Sequence, residues 1–349
     1  MPANAAHDSP PKTMRAIEIA RPGGPEVLTV AEIPVPRPGP GEVLIRVTAA
    51  GVNHADLMQR AGNYPPPAGA SPIPGMEVSG EIAAIGPSEP GGADSRWRVG
   101  DAVCALLSGG GYAEYCVAPA GQCLSIPEGV SVMDAASIPE AILTVWANLF
   151  EPRRLHSGSL FLVQGGSSGI GSMAIQMACQ FGARVAATAG SGEKCRYALS
   201  LGAEKAVNYR EDWVAELASW SKPHGIDVIL DMVGGDYLAR HVELLAPQGT
   251  VVQIATLGGS RATIDLSIMM RKRLLITGST LRSRPVAEKA SLAAAAEANL
   301  WPLFAARRMR ATVFKTFPLA QAAEAHVLLE SGQHMGKLVL TLEEGEDGD

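Results

Sequence analysis

Apolar and polar residues follow one pattern before Ala141 and another after it. In the first part, short apolar runs are broken every few residues by Pro and Gly, which is typical of strands joined by tight turns. The runs that we interpret as strands are residues 16–19, 27–33, 42–49, 80–85 and 102–106. This part of the chain is therefore predicted to form a small, mostly antiparallel β-barrel.

After Ala141, buried-type strands alternate with segments of helical length. The predicted strands are residues 160–163, 184–188, 207–208, 228–231 and 251–255, and the predicted helices are residues 172–181, 193–201 and 237–245. Strands and helices that alternate at these lengths form βαβ units, so the sheet should be parallel and doubly wound. The predicted fold class is α/β, with a β-barrel domain followed by a Rossmann domain.

A chain of 349 residues suits two domains better than one core. The predicted domains are residues 14–138 for the barrel and 139–317 for the nucleotide-binding sheet. Residues 318–343 should return to the first domain as a helix and a strand. Residues 1–13 and 344–349 are predicted to be loose tails, and the turn-rich residues 87–99 a surface loop.

Charge and hydropathy limit the possible partners. With 29 basic and 35 acidic residues the net charge is −6, which disfavours nucleic acid. No apolar run approaches the ~18–20 residues that a membrane helix needs. The first thirteen residues lack the pattern of a secretory signal, so we expect a cytoplasmic protein whose five cysteines are reduced.

The densest chemical signal is a glycine-rich loop that follows the predicted strand 160–163 and opens a helix. It reads Gly165-Gly166-Ser167-Ser168-Gly169-Ile170-Gly171. Gly166 and Gly171 hold the first and third glycine positions of the dinucleotide-binding motif G-x-G-x-x-G, and Ser168 holds the second. Such a loop brings backbone N–H groups and a helix N-terminus to a pyrophosphate.

The end of the next predicted strand indicates which dinucleotide is bound. NAD-binding chains usually carry an acidic residue there, which accepts hydrogen bonds from the ribose. This strand ends in Ala187-Thr188-Ala189-Gly190-Ser191, followed by Lys194, and Tyr209 ends the third strand. Ser191, Lys194 and Tyr209 favour a 2′-phosphate and therefore NADPH. The alternative for Lys194 is one more solvated charge on a helix.

Further motifs resemble landmarks of the medium-chain dehydrogenases/reductases, over nearly the whole chain from Met14 to about Leu342. They are Gly51-Val52-Asn53-His54-Ala55-Asp56-Leu57, Pro74-Gly75-Met76-Glu77, Gly100-Asp101-Ala102-Val103 and Gly109-Gly110-Gly111-Tyr112-Ala113-Glu114-Tyr115. Within this superfamily the chain resembles the quinone oxidoreductase group, and in particular its tumour-suppressor-inducible NADPH quinone oxidoreductase branch. Residues 55–60, 138–141, 187–191 and 281–284 carry that closer resemblance. The resemblance implies a GroES-like barrel as the catalytic domain.

Two replacements indicate that no zinc is bound. Zinc alcohol dehydrogenases of this superfamily have a Cys where this chain has Asn53 and a His where it has Met76. Neither replacement is a reasonable zinc ligand. The cysteines, at positions 104, 116, 123, 179 and 195, are too scattered for a structural zinc cluster, and we predict that they pack in the interior.

The resemblance also implies the remaining site residues. The nicotinamide is expected between the domains near Asn53 and Thr144, with Leu281 and Arg282 lining the cofactor and Lys337 close to it. Tyr64 is the best candidate to contact the substrate, either donating to a quinone oxygen or protonating carbon. The alternative is a tyrosine that packs on the following prolines. Tyr112 and Tyr115 are interpreted as packing residues of a strand.

Without zinc to polarise an alcohol, the predicted activity is transfer of a hydride or electrons from NADPH to a quinone or similar electrophile. One alternative is reduction of an α,β-unsaturated carbonyl or enoyl thioester, and a second is a non-catalytic NADPH-binding protein. The resemblance, together with the strand-like residues 274–278 near the edge of the sheet, favours a homodimer.

Overall fold

The computed structural model describes residues 10–87, 96–151 and 154–342. They form two units, one containing the described residues up to Glu140 and from Arg282 onward, and the other Ala141–Leu281. Within the described part of the chain, no helix is both long and apolar enough to cross a membrane.

The first unit is built from antiparallel strands and few helices. Its strands are β1 (Thr13–Ile19), β2 (Leu28–Pro34), β3 (Glu42–Val52), β4 (Glu77–Ile85), β5 (Ala102–Leu106), β6 (Tyr115–Pro119) and β7 (Cys123–Ser125), and its helices are α1 (His54–Arg60) and α2 (Val132–Ala135). β1 and β2 form a hairpin. The five strands predicted for this region all exist, with bounds that differ by up to three residues, while β6 and β7 were not predicted.

The second unit holds a six-stranded parallel sheet. Helix α3 (Pro139–Val145) leads into it and continues as a π-helical turn, Trp146–Phe150. The elements that follow are β8 (Leu160–Val163), α4 (Gly169–Gln180), β9 (Arg184–Ala189), α5 (Gly192–Ser200), β10 (Lys205–Asn208), α6 (Trp213–Ser221), β11 (Ile226–Asp231), α7 (Tyr237–Leu244), β12 (Leu245–Gln253), α8 (Leu266–Lys272) and β13 (Leu275–Gly278). The strand order β10-β9-β8-β11-β12-β13 is that of a doubly wound dinucleotide-binding sheet, which confirms the predicted fold class.

The chain then returns to the first unit through α9 (Val286–Ala305), β14 (Val313–Pro318), α10 (Ala322–Ser331) and β15 (Lys337–Thr341). β15 pairs antiparallel with β3, with Leu338 opposite Val52. The larger sheet of this unit has the order β14-β15-β3-β4-β5-β7, and β6 pairs with β3. A core of buried aliphatic side chains from β1, β3, β4, β5 and β15 lies on this sheet.

The structure assigns residues 282–317 to the first unit, whereas the sequence prediction placed them in the nucleotide-binding domain. The contacts of α9 are the reason. Glu297 accepts hydrogen bonds from the amide and hydroxyl of Ser125 at 2.9 and 2.7 Å. The Trp301 indole donates to the Ser125 carbonyl at 2.9 Å. These contacts attach α9 to β7.

Parts of the predicted tails and of the predicted surface loop lie outside the described residues, namely residues 1–9, 88–95 and 343–349. Thr13, assigned to the N-terminal tail by its sequence, is instead the first residue of β1 and pairs with Pro34. Tyr112 also differs from its prediction. It lies outside any strand and is fully buried, with its hydroxyl in a hydrogen-bonded network described below.

Candidate functional site

The glycine loop of the second unit lies between β8 and α4, and the backbone at three of its glycines disfavours a side chain. Gly165 has a φ of +69°, which L-residues rarely adopt. A Cβ on Gly166 would lie 2.6 Å from the Ala187 Cβ, and one on Gly171 would lie 2.2 Å from the Gly165 carbonyl oxygen. The loop therefore holds its backbone tightly against β9 and against itself.

Ser168, at the second motif position, has a different local role from a glycine. It is the N-cap of α4, and its hydroxyl accepts the Gly171 N–H at 2.9 Å. Gly169 and Ile170 form the start of the helix and are only partly buried. The first turn of α4 thus presents backbone N–H groups beside the loop, which is the arrangement that binds a pyrophosphate.

A buried polar network that the sequence did not reveal supports this loop. The Thr188 hydroxyl accepts the Gly165 N–H at 3.2 Å and donates to Gln164 Oε1 at 2.5 Å. The Gln164 amide then lies 2.8 Å from His241 Nε2. Because Gln164 Oε1 is the acceptor of Thr188, its Nε2 donates to His241, whose proton is therefore on Nδ1. Burial lowers the pKa of His241 to about 3, so it is neutral.

At the end of β9, Ser191, Lys194 and Tyr209 come together. Ser191 is the N-cap of α5 and accepts the Lys194 N–H at 3.3 Å. The Tyr209 hydroxyl lies 2.5 Å from the place that a Cβ of Gly190 would occupy. Burial, and then the nearby Arg210, lower the pKa of Lys194. Two cations and one carboxylate, Glu193, lie near the hydroxyl and the phenol, so the net charge of this surface is positive and suits an anion.

Thr144 and Leu281 are buried in the same unit. The Thr144 carbonyl accepts from the Asn148 side chain at 2.8 Å, and Asn148 Oδ1 accepts from the Ser279 hydroxyl at 2.8 Å. Asn148 therefore connects α3 to the segment just after β13.

In the first unit, Asn53 lies in a buried cluster with Glu77 and Lys337. Lys337 Nζ donates to Asn53 Oδ1 at 2.6 Å and forms an ion pair with Glu77. Asn53 Nδ2 donates to Glu77 Oε1 at 2.9 Å, and the Glu140 N–H donates to Glu77 Oε2 at 2.9 Å. Since lysine can only donate and a carboxylate only accept, the orientation of the Asn53 amide is fixed.

A second buried network orients the start of α1. Asp56 accepts the Asn53 N–H at 2.8 Å, the Gly75 N–H at 3.0 Å and the Tyr112 hydroxyl at 3.2 Å. The network continues from the Tyr112 hydroxyl to His326, from His326 to Arg60, and from Arg60 to Glu330. Burial raises the pKa of Asp56 to about 6, although its three donors favour the ionised form.

Tyr64 lies in the loop after α1 and is held by Arg282. The guanidinium lies 5.3 Å from the centre of the Tyr64 ring, and its Nη1 donates to the Tyr64 carbonyl at 3.2 Å. Arg282 also donates to Gln59 Oε1 at 2.6 Å and to the Ser108 carbonyl at 2.9 Å. Burial, and then Glu140, raise the pKa of the Tyr64 phenol, so it retains its proton at neutral pH.

The predicted site residues thus form separate groups in the two units. The structure brings Ser191, Lys194 and Tyr209 together, and it brings Lys337 to Asn53. Sequence reasoning missed Glu77 as the common partner of Asn53 and Lys337, and it missed the Gln164–Thr188–His241 network. The residues that were missed lie on different elements from their partners, 24 or more positions away, so no local spacing could have revealed them.

No group of three or more His, Cys, Asp or Glu side chains able to hold a metal occurs among the residues that the structure describes. Met76 is buried beside Glu77. Cys104, Cys116 and Cys123 are buried, and Cys179 and Cys195 are partly buried; none of the five is in a disulfide.

Two family models match the chain. The alcohol dehydrogenase GroES-like domain matches residues 39–128, and the zinc-binding dehydrogenase model matches residues 169–297. The second match begins in the glycine loop at Gly169 and ends in α9 at Glu297, so it includes neither Asn53 nor Met76.

Whole-chain relatives are more informative. The chain is 32% identical to the quinone oxidoreductase of Homo sapiens over 340 residues, which cover 95% of this chain and 98% of that protein. The quinone oxidoreductase of Escherichia coli, solved in complex with NADPH, superposes with a TM-score of 0.83 at 28% identity, covering 94% of this chain and 100% of the other. A solved NAD-dependent alcohol dehydrogenase gives a TM-score of 0.80 at 33% identity, covering 95% and 100%. The chain belongs to the quinone oxidoreductase group of the medium-chain dehydrogenase/reductase superfamily.

Proposed function

We propose that this protein is a zinc-independent reductase that transfers a hydride from NADPH to a quinone or a similar electrophilic acceptor. The observation that carries the proposal is the Asn53–Glu77–Lys337 cluster. Amide, carboxylate and ammonium groups satisfy one another where zinc alcohol dehydrogenases place metal ligands. An acceptor that needs no Lewis acid, because it is already electrophilic, suits such a site.

The residues of the second unit fit NADPH. Gly166, Ser168, Gly169, Ile170 and Gly171 offer the tight backbone and the helix N-terminus that a pyrophosphate requires. NADPH, when bound, supplies the hydride. We assign the 2′-phosphate to Ser191, Lys194 and Tyr209, since β9 ends in Ala189 and not in an acidic residue. Glu193 acts on Lys194 less strongly than Arg210 does.

The nicotinamide end of the cofactor is assigned to Thr144 and Leu281 of the second unit and to Asn53, Lys337 and Arg282 of the first. Lys337 and Glu77 hold the Asn53 amide in one orientation. Arg282 holds the Tyr64 loop through its ring and carbonyl contacts. These contacts keep polar groups preorganised before a substrate arrives.

Tyr64 is assigned as the residue that contacts the acceptor. Its raised pKa keeps the phenol protonated, so it can donate a hydrogen bond to a quinone oxygen. The same phenol also favours a second candidate activity, reduction of an enoyl group, in which Tyr64 would protonate carbon after hydride transfer.

Acceptor kinetics distinguish these activities. NADPH oxidation is followed with a 1,4-quinone, with a 2-enoyl thioester and with no acceptor, for the wild type and for Tyr64→Phe. We expect rapid oxidation with the quinone that survives the substitution within a few-fold. A preferred thioester, together with a loss of about a hundredfold or more in kcat for Tyr64→Phe, would establish the enoyl reductase instead. Tight NADPH binding with no acceptor reduced would indicate a binding protein.

Zinc independence has its own test. Asn53 and Met76 leave no zinc-binding set at this position. Elemental analysis of the purified protein is expected to find no stoichiometric zinc. One tightly held zinc per chain would refute this part of the proposal.

The proposed homodimer rests on the edge of the parallel sheet, and the proposed compartment rests on the cysteines. β13 is an edge strand of the parallel sheet, and its Leu275 is exposed, as are Met270 and Leu266 on the neighbouring α8. These features support a homodimer formed through this edge. The unpaired cysteines support a reducing compartment such as the cytoplasm.

A further inference from the structure

A cavity of about 690 Å³ lies within the first unit, beside residues 67–71 and the start of α9. Of the residues assigned to the reductase site, Arg282 lines this cavity, whereas Asn53, Tyr64 and Lys337 do not. Its lining includes the apolar side chains of Met14, Ile33 and Ile73 and the cations Arg282 and Lys289. The cavity is therefore amphipathic.

The two cations are buried without a counter-ion. Lys289 is 3% exposed and Arg282 is 5% exposed. Lys289 Nζ donates to the Ser108 hydroxyl at 2.9 Å and to the Arg282 carbonyl at 3.2 Å. All acceptors of the Arg282 guanidinium are neutral as well. No carboxylate of the described residues lies within ion-pair distance of either cation.

Such an arrangement is costly, because a buried charge is ordinarily stabilised by an opposite one. Burial lowers the pKa of both groups. Asp56, Tyr64 and Glu140 oppose this for Arg282, and Glu140 opposes it for Lys289, whose pKa Arg282 lowers further. Glu42 is the one acidic residue among those that line the cavity, and its Oε2 accepts the Gly39 N–H at 2.9 Å. An ammonium has three donors, and Lys289 uses two on protein atoms.

The N-terminus of α9 adds to the positive potential of this cavity. α9 has 20 residues, its N-cap is Pro285, and no side chain caps its free N–H groups. Pro285 and Val286 both line the cavity. The helix dipole and the free N–H groups favour an anion at this end.

We propose that this cavity is a second ligand site, which binds an oxyanion carried on an apolar body, such as an aromatic carboxylate. Lys289 and Arg282 bind the oxyanion, and the side chains of Met14, Ile33 and Ile73 receive the apolar body. The site goes beyond the reductase function. It also adjoins it, because Arg282 holds the loop that carries Tyr64.

The test is a calorimetric titration of the full-length protein without NADPH, using benzoate, the neutral benzamide and inorganic phosphate. Benzoate is expected to bind at least about tenfold more tightly than benzamide, since a charge-assisted hydrogen bond separates them. Phosphate is expected to bind more weakly than benzoate, because it has no apolar body. Lys289→Met should weaken benzoate binding about tenfold or more. Two control variants should leave benzoate binding unchanged. They are Lys315→Met, at an exposed position, and Tyr64→Phe, in the proposed reductase site.

Each other outcome counts against the proposal. Equal affinity for benzoate and benzamide, or no binding of either anion, would overturn the site. Phosphate binding as tightly as benzoate would overturn the role of the apolar side chains. Loss of benzoate binding in Tyr64→Phe, with retention in Lys289→Met, would assign benzoate to the reductase site. Should Lys289→Met not fold, Lys289→Gln and the benzoate–benzamide comparison on the wild type decide. Since no reaction is measured, failure here leaves the reductase proposal standing.

Discussion

Gly190 shows how one residue without a side chain shapes the cofactor region. The Tyr209 phenol occupies the space that a Cβ at Gly190 would need. The phenol therefore lies beside the N-cap of α5, where Ser191 accepts the Lys194 N–H. Arg210 adds a second positive charge near Lys194. This cluster is the physical basis for assigning the 2′-phosphate.

Lys194→Ala tests that assignment. If Lys194 pairs with the 2′-phosphate, NADPH should lose about ten- to hundredfold in affinity, the value of one charge-assisted hydrogen bond, while NADH loses little. Higher salt should also weaken NADPH binding preferentially, since the lysine is partly exposed. The measurement is a fluorescence titration with both cofactors, with the exposed Lys222→Ala as the matched control. Equal losses for both cofactors would return Lys194 to the role of a solvated helix charge.

Asp56 provides a prediction about pH. Its pKa is raised from 3.8 to about 6 by burial, so the native state binds this proton more tightly than the unfolded chain. The contribution of Asp56 to stability is therefore greatest below pH 4 and falls as pH rises to about 6, by about 3 kcal/mol in all. Urea denaturation of the wild type and Asp56→Asn across this range isolates the effect. As pH rises, the free energy of unfolding of the wild type should fall relative to that of Asp56→Asn. A difference that does not change with pH would contradict the raised pKa of Asp56.

Among the elements, the ends of β3, β4 and β15 explain how Asn53 is held. Asn53 follows the last residue of β3, Glu77 opens β4 and Lys337 opens β15. β3 pairs antiparallel with both of the others, with Ala50 opposite Val78 and Val52 opposite Leu338. These registers bring the three side chains together, although Lys337 and Asn53 are 284 positions apart.

Removing one charge of the Glu77–Lys337 ion pair should lower the free energy of unfolding more than removing both charges. Lys337→Met leaves Glu77 as a fully buried carboxylate without its cation, which costs about 3–5 kcal/mol of unfolding free energy. The double variant Glu77→Gln/Lys337→Met buries no charge, so its loss should be well below the sum of the two single losses. Urea denaturation of all four proteins measures this coupling. Strict additivity would show that the ion pair contributes nothing specific.

The element scale also shows where sequence patterns were sufficient. Strong local signals, such as the apolar run of β8 and the glycine loop before α4, placed these elements to within a few residues. α9 was not predicted, because alanines occupy much of it and give little contrast between its buried and exposed faces. β12 begins at Leu245 rather than at residue 251, since Leu245 pairs with Ile226 across a bulge.

At the scale of the whole molecule, the exposed edge at β13 leads to a prediction of assembly. Light scattering at micromolar concentration should give a particle of about twice the 36.4 kDa chain mass. Leu275→Glu and Met270→Glu should shift the particle towards the monomer, because both side chains are exposed at this edge. Val327→Glu, at an equally exposed position on α10 in the other unit, is the control. A monomeric wild type would contradict the proposed dimer.

The proposed cofactor-binding residues could be predicted from the sequence more fully than the proposed acceptor-binding residues. The proposed nucleotide site consists of a loop of seven residues and the end of one strand, whose local backbone geometry the spacing of glycines can reveal. The proposed acceptor residues form two groups, Asn53 with Glu77 and Lys337, and Tyr64 with Arg282, and the members of each come from distant parts of the chain. The resemblance implied that Asn53, Lys337 and Arg282 lie near the cofactor, but the role of Glu77 and the hydrogen bonds of both groups emerged only from the structure.

The central claim is that a metal-free protein passes a hydride from NADPH to a quinone. The most direct test is the initial rate of nicotinamide oxidation by exhaustively chelated enzyme, with and without a 1,4-quinone, for NADPH and NADH in parallel. The account predicts oxidation that depends on the quinone, is faster with NADPH and is unchanged by chelation. Activity that disappears on chelation and returns with zinc, a preference for NADH, or no dependence on the quinone would contradict it.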